Sequence, residues 1–366
     1  MDKLKFDDIV LRISTGLNPR KNFVLNSGGL YNYVTIKNIK NGDLINLESC
    51  DKIDEKAFVM INKRSDLKKD DILFASIGTN GESYIIKSDP SDWNINESVF
   101  TIRLKKDFLP KFIYFYLKSP YCIDYYKKYQ TGSTFKSLKI SQLKEMKIKN
   151  YDLNEQKSIC TVLDNIEKMI SINFENIIDL KKLIYSRYFD LFGNVLSNDS
   201  EYQLKEWHEV LQIKNGKNQK KVENSTGKYP IYGSGGIMSY ADDFICNEDT
   251  VIVGRKGNIN NPIFVKSKFW NVDTAFGLEA DRKYILPEYL FYFCKLFNFE
   301  LLNKTTTIPS LTKVDLLKIK MPIPPIDLQI KFKTIYDSIN FKIEILKQNN
   351  SDLEKLLKEK LFDYFS

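Results

Sequence analysis

The sequence predicts an α+β fold: two strand-rich α/β domains, each followed by a long helix, with the two helices pairing as an antiparallel coiled coil. Three observations carry that expectation. The chain repeats itself once, each repeat changes from short strands to one long proline-free helix, and both helices bear a heptad seam.

The repeat is read in matched blocks. Val10-Leu11-Arg12-Ile13-Ser14-Thr15-Gly16-Leu17-Asn18 matches Val210-Leu211-Gln212-Ile213-Lys214-Asn215-Gly216-Lys217-Asn218. Asp71-Ile72-Leu73-Phe74, followed by Gly78, matches Asp249-Thr250-Val251-Ile252, followed by Gly257. Trp93-Asn94 matches Trp270-Asn271, and Leu109-Pro110 with the aromatic run behind it matches Leu286-Pro287. The last third of each half aligns without gaps, setting Ser137-Leu138 on Ser310-Leu311, Gln156 on Gln329 and Asp164 on Asp337. So many blocks in one order mean two copies of one domain-plus-helix unit, with a period too long for a solenoid.

Each copy opens with short β-branched and aromatic runs broken by Gly, Asn, Asp and Pro. Tyr33-Val34-Thr35-Ile36 and residues 72–77 and 250–254 read as strands. A helix near residues 110–118, and again near 287–295, opens with proline in its first turn. The long helices follow. No proline lies within residues 154–192 or 327–365, and Asn154 and Asp327 are the expected N-caps. Each span is about 39 residues, or roughly 58 Å.

The first seam runs Ile159, Leu163, Ile166, Ile170, Asn173, Ile177, Leu180, Ile184 and Leu191. The second runs Phe332, Tyr336, Ile339, Ile343, Leu346, Asn350, Leu353, Leu357, Leu361 and Tyr364. Facing Asn173 with Asn350 in an antiparallel pair also sets Leu191 against Phe332 and Ile159 against Tyr364, so the ends come out flush. Paired amides would fix the register; the alternative is that each faces solvent. The expected division is 1–152, 153–195, 196–325 and 326–366.

Composition bounds the class. With 366 residues, 43% hydrophobic and 28% charged, the chain is globular and too long for one ordinary core. It has no long uncharged apolar run and its N-terminus is charged throughout, so a cytoplasmic protein is expected. Cys50, Cys122, Cys160, Cys246 and Cys294 form no C-x-x-C pair, which speaks against a zinc site or disulfide framework and for small buried hydrophobes. A net charge of +8 favours a polyanion partner, although an AT-rich coding bias toward Lys and Asn yields the same balance.

Catalytic motifs are scarce. The single His208, in Trp207-His208-Glu209, has no evident Ser or Cys partner and reads as structural. The phosphate-loop signature is missing, and Gly233-Ser234-Gly235-Gly236 reads as a flexible turn. Asn261-Pro262-Ile263-Phe264 lacks the second proline of an amino-methyltransferase motif. Asp242-Asp243 and Glu248-Asp249 read as solvated turns rather than a metal site.

The order of these features resembles the specificity subunits of type I restriction–modification systems. The resemblance rests on Gly254-Arg255-Lys256-Gly257 and its copy from Ser76 to Gly81, on Ser137-Leu138 and Ser310-Leu311 before the long helices, and on the helix openers. Those openers are Leu153-Asn154-Glu155-Gln156-Lys157-Ser158-Ile159 and Pro324-Pro325-Ile326-Asp327-Leu328-Gln329-Ile330. It covers essentially the whole chain. Two departures stand out: Lys149-Asn150-Tyr151-Asp152 replaces a proline-rich lead-in, and Leu328 stands where Glu155 sits in the first copy.

The resemblance implies a non-catalytic subunit with target-recognition domains at 1–152 and 196–325, each reading half of a split, asymmetric double-stranded DNA target. It implies that the helices space the domains and dock two methyltransferase subunits, and it leaves open a restriction/translocase subunit. S-adenosylmethionine and ATP are then expected on partner subunits, with no cofactor on this chain and no membrane partner. Antiparallel helices would place the domains at opposite ends about a pseudo-twofold axis, and a spacer of tens of ångströms suits half-sites about 34 Å apart.

Base and phosphate contacts need amides, hydroxyls and cations on loops. The candidates in the first copy are Arg20, Lys21, Asn80, Thr134 and Lys136. In the second they are Lys217, Lys220, Tyr232, Ser234, Arg255, Lys256, Asn258, Lys304 and Thr307. The competing readings are a two-module protein-binding scaffold without DNA recognition and an enzyme fused to recognition modules.

Overall fold

The computed structural model describes residues 3–20, 22–78, 81–130, 136–197, 201–303 and 309–366. The chain divides into two compact units: Met1–Asn173 with Gln348–Ser366, and Phe174–Lys347. Each unit holds one strand-rich domain and a stretch of both long helices.

The two domains share one topology. In the first, Val10–Thr15, Val99–Leu104, Ile72–Ala75 and Ser83–Ile85 lie side by side in an antiparallel sheet. In the second the same order is filled by Leu211–Asn215, Ala275–Ala280, Thr250–Gly254 and Ile263–Val265. A second sheet has one parallel pair in each domain, Tyr31–Val34 with Trp93–Ile95 and Tyr229–Gly233 with Trp270–Asn271. A short clasp ties the start of each domain to the strand before its helix: Lys3–Lys5 with Lys147–Lys149, and Leu204–Glu206 with Lys320–Pro322.

The ladders refine the repeat. Phe74 pairs with Phe100, and Val253 pairs with Phe276. Phe100 in turn faces Thr15, as Phe276 faces Asn215. Asp71 therefore corresponds to Thr250 and not to Asp249, a correction of one residue. The similar-looking Asp249 instead takes a positive φ in the turn before its strand.

The repeated residues have physical reasons. A Cβ on Gly16 would lie 1.7 Å from the Ile95 carbonyl oxygen, and one on Gly216 would lie 1.8 Å from that of Val272. Both sites admit only glycine because another backbone crosses against them. The crossing backbone is the segment that begins with the repeated Trp-Asn pair, and Asn94 and Asn271 are both buried there. Asn94 Oδ1 accepts from the Ile95 N–H and the Ser65 hydroxyl, and Asn271 Nδ2 donates to the Ala275 carbonyl.

The long helices span Leu153–Phe192 and Ile326–Phe365, 40 residues each. The expected caps are shifted. Asp152, not Asn154, caps the first helix: its Oδ1 accepts from the N–H groups of Asn154 and Glu155, and Glu155 Oε2 accepts from the Asp152 N–H. Asp327 lies inside the first turn, where Leu328 and Gln329 donate to the Pro325 carbonyl. Leu328, replacing Glu155, packs on the hydrophobic core. Each helix is also stapled to its domain by a buried glutamine. Gln156 accepts from the Leu109 N–H and donates to the Asp107 and Tyr151 carbonyls. Gln329 accepts from the Leu286 N–H and donates to the Tyr284 and Pro324 carbonyls.

In the first unit, Ile159 and Leu163 share a core with Leu361 and Phe365. In the second, the rings of Tyr188 and Phe192 lie 5.2 and 5.6 Å from that of Phe332. Early turns of one helix thus meet late turns of the other in each unit, which is antiparallel packing. Within the first unit Asn173 Nδ2 donates to Asn350 Oδ1 at 2.8 Å, and Asn350 Nδ2 reaches the Ile170 carbonyl at 3.4 Å. The seam departs from expectation near residue 190. Tyr188 and Phe192 are the fully buried residues there, and Leu191 packs at their margin. Tyr188 stacks on Tyr289 of the domain, so the helix end serves the domain core as much as the helix pair.

Candidate nucleic-acid interface

In the second domain the sheet strand Thr250–Gly254 runs out into Arg255, Lys256, Gly257 and Asn258, all exposed. The loop is pinned on both sides. Arg255 N–H donates to the Thr274 carbonyl at 2.8 Å, Leu311 N–H donates to the Arg255 carbonyl, and Gly257 N–H donates to the Pro309 carbonyl. Gly257 has a φ of +75°, which glycine adopts without strain. Arg255 Nη1 lies 3.4 Å from the Asp273 carbonyl and its guanidinium sits 5.8 Å from the Phe276 ring centre. Among the described residues neither Arg255 nor Lys256 forms an ion pair, so both keep donors for an outside acceptor.

The Trp270–Thr274 segment gathers the other candidates. Lys217 N–H donates to the Asn271 carbonyl, and Trp270 Nε1 donates to the Lys217 carbonyl at 3.0 Å. Val272 N–H donates to the Tyr232 carbonyl. Gly233 and Gly236 pair across a two-residue hairpin turn, Ser234-Gly235, so the expected flexible turn is a tight one. Ser234 comes close to Gly254, where an added Cβ would lie 3.1 Å from the serine Cβ. Lys217, Tyr232, Ser234, Arg255, Lys256 and Asn258 thus sit on or beside one pinned turn. Tyr232 is half-buried against Phe269, at 5.4 Å between rings, and burial pushes its phenol up. It shares its role with the core. Lys220 lies further along its loop, exposed, with its N–H on Asn218 Oδ1.

The first domain has the same cradle with different contents. Ser76 N–H donates to the Ser98 carbonyl, Leu138 N–H donates to the Ser76 carbonyl, and Gly78 N–H donates to the Lys136 carbonyl. Ser76 therefore stands where Arg255 does, and Ile77 where Lys256 does. Ser76 is buried, its hydroxyl donating to the Ser98 carbonyl at 2.8 Å. Lys136 and Arg20 are exposed. Lys21, Asn80, Thr134, Lys304 and Thr307 lie outside the described residues.

Two other arginines of the first domain are already engaged. Arg103 bridges Asp71 and Asp66, Arg12 pairs with Asp66, and the Arg103 guanidinium holds the Asp66 carboxyl below its usual range. A polar cleft of about 470 Å³ opens beside Ser98, lined in part by Tyr33, Thr35, Lys37, Asn46 and Asn96. Residues 35–50, which supply much of it, follow the parallel strand where the second domain has its hairpin. Sequence matching missed this cleft because nothing in the other copy marks it.

The sites weighed for catalysis are otherwise engaged. His208 is exposed beside Glu206 at 3.2 Å. Phe264 of the Asn-Pro-Ile-Phe stretch stacks on Phe291 at 5.4 Å, inside the domain. Asp242 accepts from Asn224, and Asp249 pairs with Arg282. Burial pushes the Cys122 and Cys246 thiols up to about 12 and that of Cys160 up to about 11. Among the described residues no group of three acidic, histidine or cysteine side chains is set to hold a metal, and no helix is long and apolar enough to cross a membrane.

The model of the family described as "type I restriction modification DNA specificity domain" matches twice, over residues 3–182 and 199–355. The chain belongs to that family. A specificity subunit of a Methanocaldococcus jannaschii type I restriction enzyme is similar over 86% of this chain and 81% of its own length, at 24% identity. A Haemophilus influenzae type I specificity subunit, itself named as putative, is 25% identical over 40% of each chain. Among solved structures, the S subunit of a type I restriction–modification system from M. genitalium covers 100% of this chain and 96% of its own, with a TM-score of 0.60 at 20% identity. A structure described in terms of type I complex assembly and conformational transition gives a TM-score of 0.61 at 14% identity, over 98% and 96%. Those two share the fold. The chain is accordingly a type I specificity subunit: a non-catalytic component of a restriction–modification complex, carrying two DNA-recognition domains.

Proposed function

We propose that the two domains read the two halves of one bipartite, asymmetric DNA target, while the paired helices space them and dock methyltransferase subunits. The observation that carries this is the shared cradle with unlike contents. Identical backbone hydrogen bonds present Arg255 and Lys256 in one domain and Ser76 and Ile77 in the other. Two readers built alike but lined differently would select two different half-sites.

Docking is supported by the outer faces of the helices. In the first unit Met169 and Ile172 are exposed, and in the second so are Phe174, Ile178, Phe341 and Ile345. Within the second unit an apolar groove of about 450 Å³ lies between Leu180, Leu183, Lys342, Ile345 and Leu346. Exposed apolar surface on a helix is what a permanent partner covers. S-adenosylmethionine and ATP belong to those partners, among which a restriction/translocase subunit has a place, and the complex works on double-stranded DNA in the cytoplasm.

The test is binding selection from a random duplex library with methyltransferase subunits present. Enrichment of a split, non-palindromic sequence is expected. A protein-binding scaffold without DNA recognition would enrich none.

A further inference from the structure

We propose that Arg255 reads a guanine in the half-site of the second domain, and that the matched place in the first domain makes no demand for guanine because Ser76 and Ile77 stand there. This rests on the split-target reading above and adds the base chemistry of one contact.

The Arg255 guanidinium is exposed at the tip of a pinned loop, has no carboxylate partner among the described residues, and is steadied by Phe276 and the Asp273 carbonyl. With only Nη1 near a protein acceptor, the guanidinium keeps donors for an outside one, and the base edge that matches paired donors is guanine O6 and N7. Among the described residues Lys256, Lys217 and Lys220 also form no ion pair, and as point charges on flexible stems they suit phosphates. Arg12 and Arg103 of the first domain are committed to Asp66 and Asp71.

The backbone hydrogen bonds that pin Arg255 recur in the first domain. Ser98 takes the place of Thr274, so Glu97 stands for Asp273, and Phe100 stands for Phe276. The arginine and the lysine beside it are what the first domain lacks. Ser76 turns its hydroxyl inward to Ser98, and the half-buried Ile77 offers carbon, which suits a thymine methyl rather than an acceptor edge.

The experiment is the same selection with the assembled complex, run on the parent chain, Arg255→Ala, Arg255→Gln and Ser76→Arg. The parent should enrich a guanine at one position of one half-site. R255A should lower discrimination at that position alone by roughly 5- to 150-fold. R255Q should move the preference toward adenine, since glutamine pairs with adenine N6 and N7. S76R should create a new guanine preference in the other half-site, a gain that a damaged fold cannot mimic. A bipartite target that R255A and S76R both leave unchanged would overturn the guanine assignment and leave split recognition standing. Failure of the parent to enrich any bipartite sequence would overturn both.

Discussion

In the second domain the loop after Thr250–Gly254 carries Arg255 and Lys256; in the first, the same three backbone hydrogen bonds hold Ser76 and Ile77. The link between domain and helix differs in a parallel way. Lys111 of the first domain meets Asp164 of the first helix at 2.9 Å, whereas Glu288, its counterpart, meets Lys333 of the second. The signs are reversed and the burial of the carboxylate differs. Both partners of the Lys111 pair are about a third exposed, while the Glu288 side chain is 2% exposed and its Oε2 has no hydrogen-bond partner among the described residues. The duplicated chain has kept its backbone constraints and let its side-chain chemistry diverge wherever the backbone did not depend on it.

The hardest test of the shared scaffold is at its crossings. Gly16→Val and Gly216→Val should each cost about 4 kcal/mol or more, because a side chain there meets backbone that cannot move aside. Hydrogen exchange should show each loss confined to the mutated domain; an equal loss in both would break the comparison.

The reversed links should respond unequally. Lys333→Met strands a buried carboxylate and should cost about 3 kcal/mol. Lys111→Met removes a partly solvated pair and should cost less than about 1 kcal/mol. Chemical denaturation of the two variants checks this, and similar costs would mean that burial does not set the difference.

The glutamine staples should respond alike. Gln156→Leu and Gln329→Leu each leave a buried N–H and two carbonyls without their partner, for about 2 kcal/mol apiece. A large disparity would show that the two helix starts are not equivalent.

The smallest effect on stability is expected at the amide pair. Asn173→Leu with Asn350→Leu should leave the melting temperature unchanged or slightly raised, because two apolar side chains replace a partly buried polar pair. The loss should be in register, seen as more than one spacing between labels placed on the two helices. A single unchanged spacing would mean that the aromatic ends alone set the register.

The duplication, the sheet strands and the helix lengths were legible because each rests on a backbone demand that the sequence must meet twice. Gly16 and Gly216 mark a crossing, and Gln156 and Gln329 mark a staple. The helix starts were misplaced by two residues because Asp152 and Asn154 are both good caps by type, and only the hydrogen bonds separate them. The Asp71–Asp249 match failed for a similar reason. Identity of letters suggested one register, and the ladder with Phe100 and Phe276 fixed another. Tyr188 was passed over although it lies one four-residue step beyond Ile184, and its ring stacks on Tyr289 of the domain. The loops were legible only as compositions. That Lys217, Ser234 and Arg255 gather around the Trp270–Thr274 turn depends on a parallel strand pair that no local pattern announces.

Two unlike readers that share one target should leave a record in the host's DNA. Mapping methylated bases across the genome of a host carrying the complete system tests this most directly. One motif of two different short sequences separated by a fixed run of unspecified bases is expected. A single uninterrupted motif, or a perfect palindrome, would contradict it.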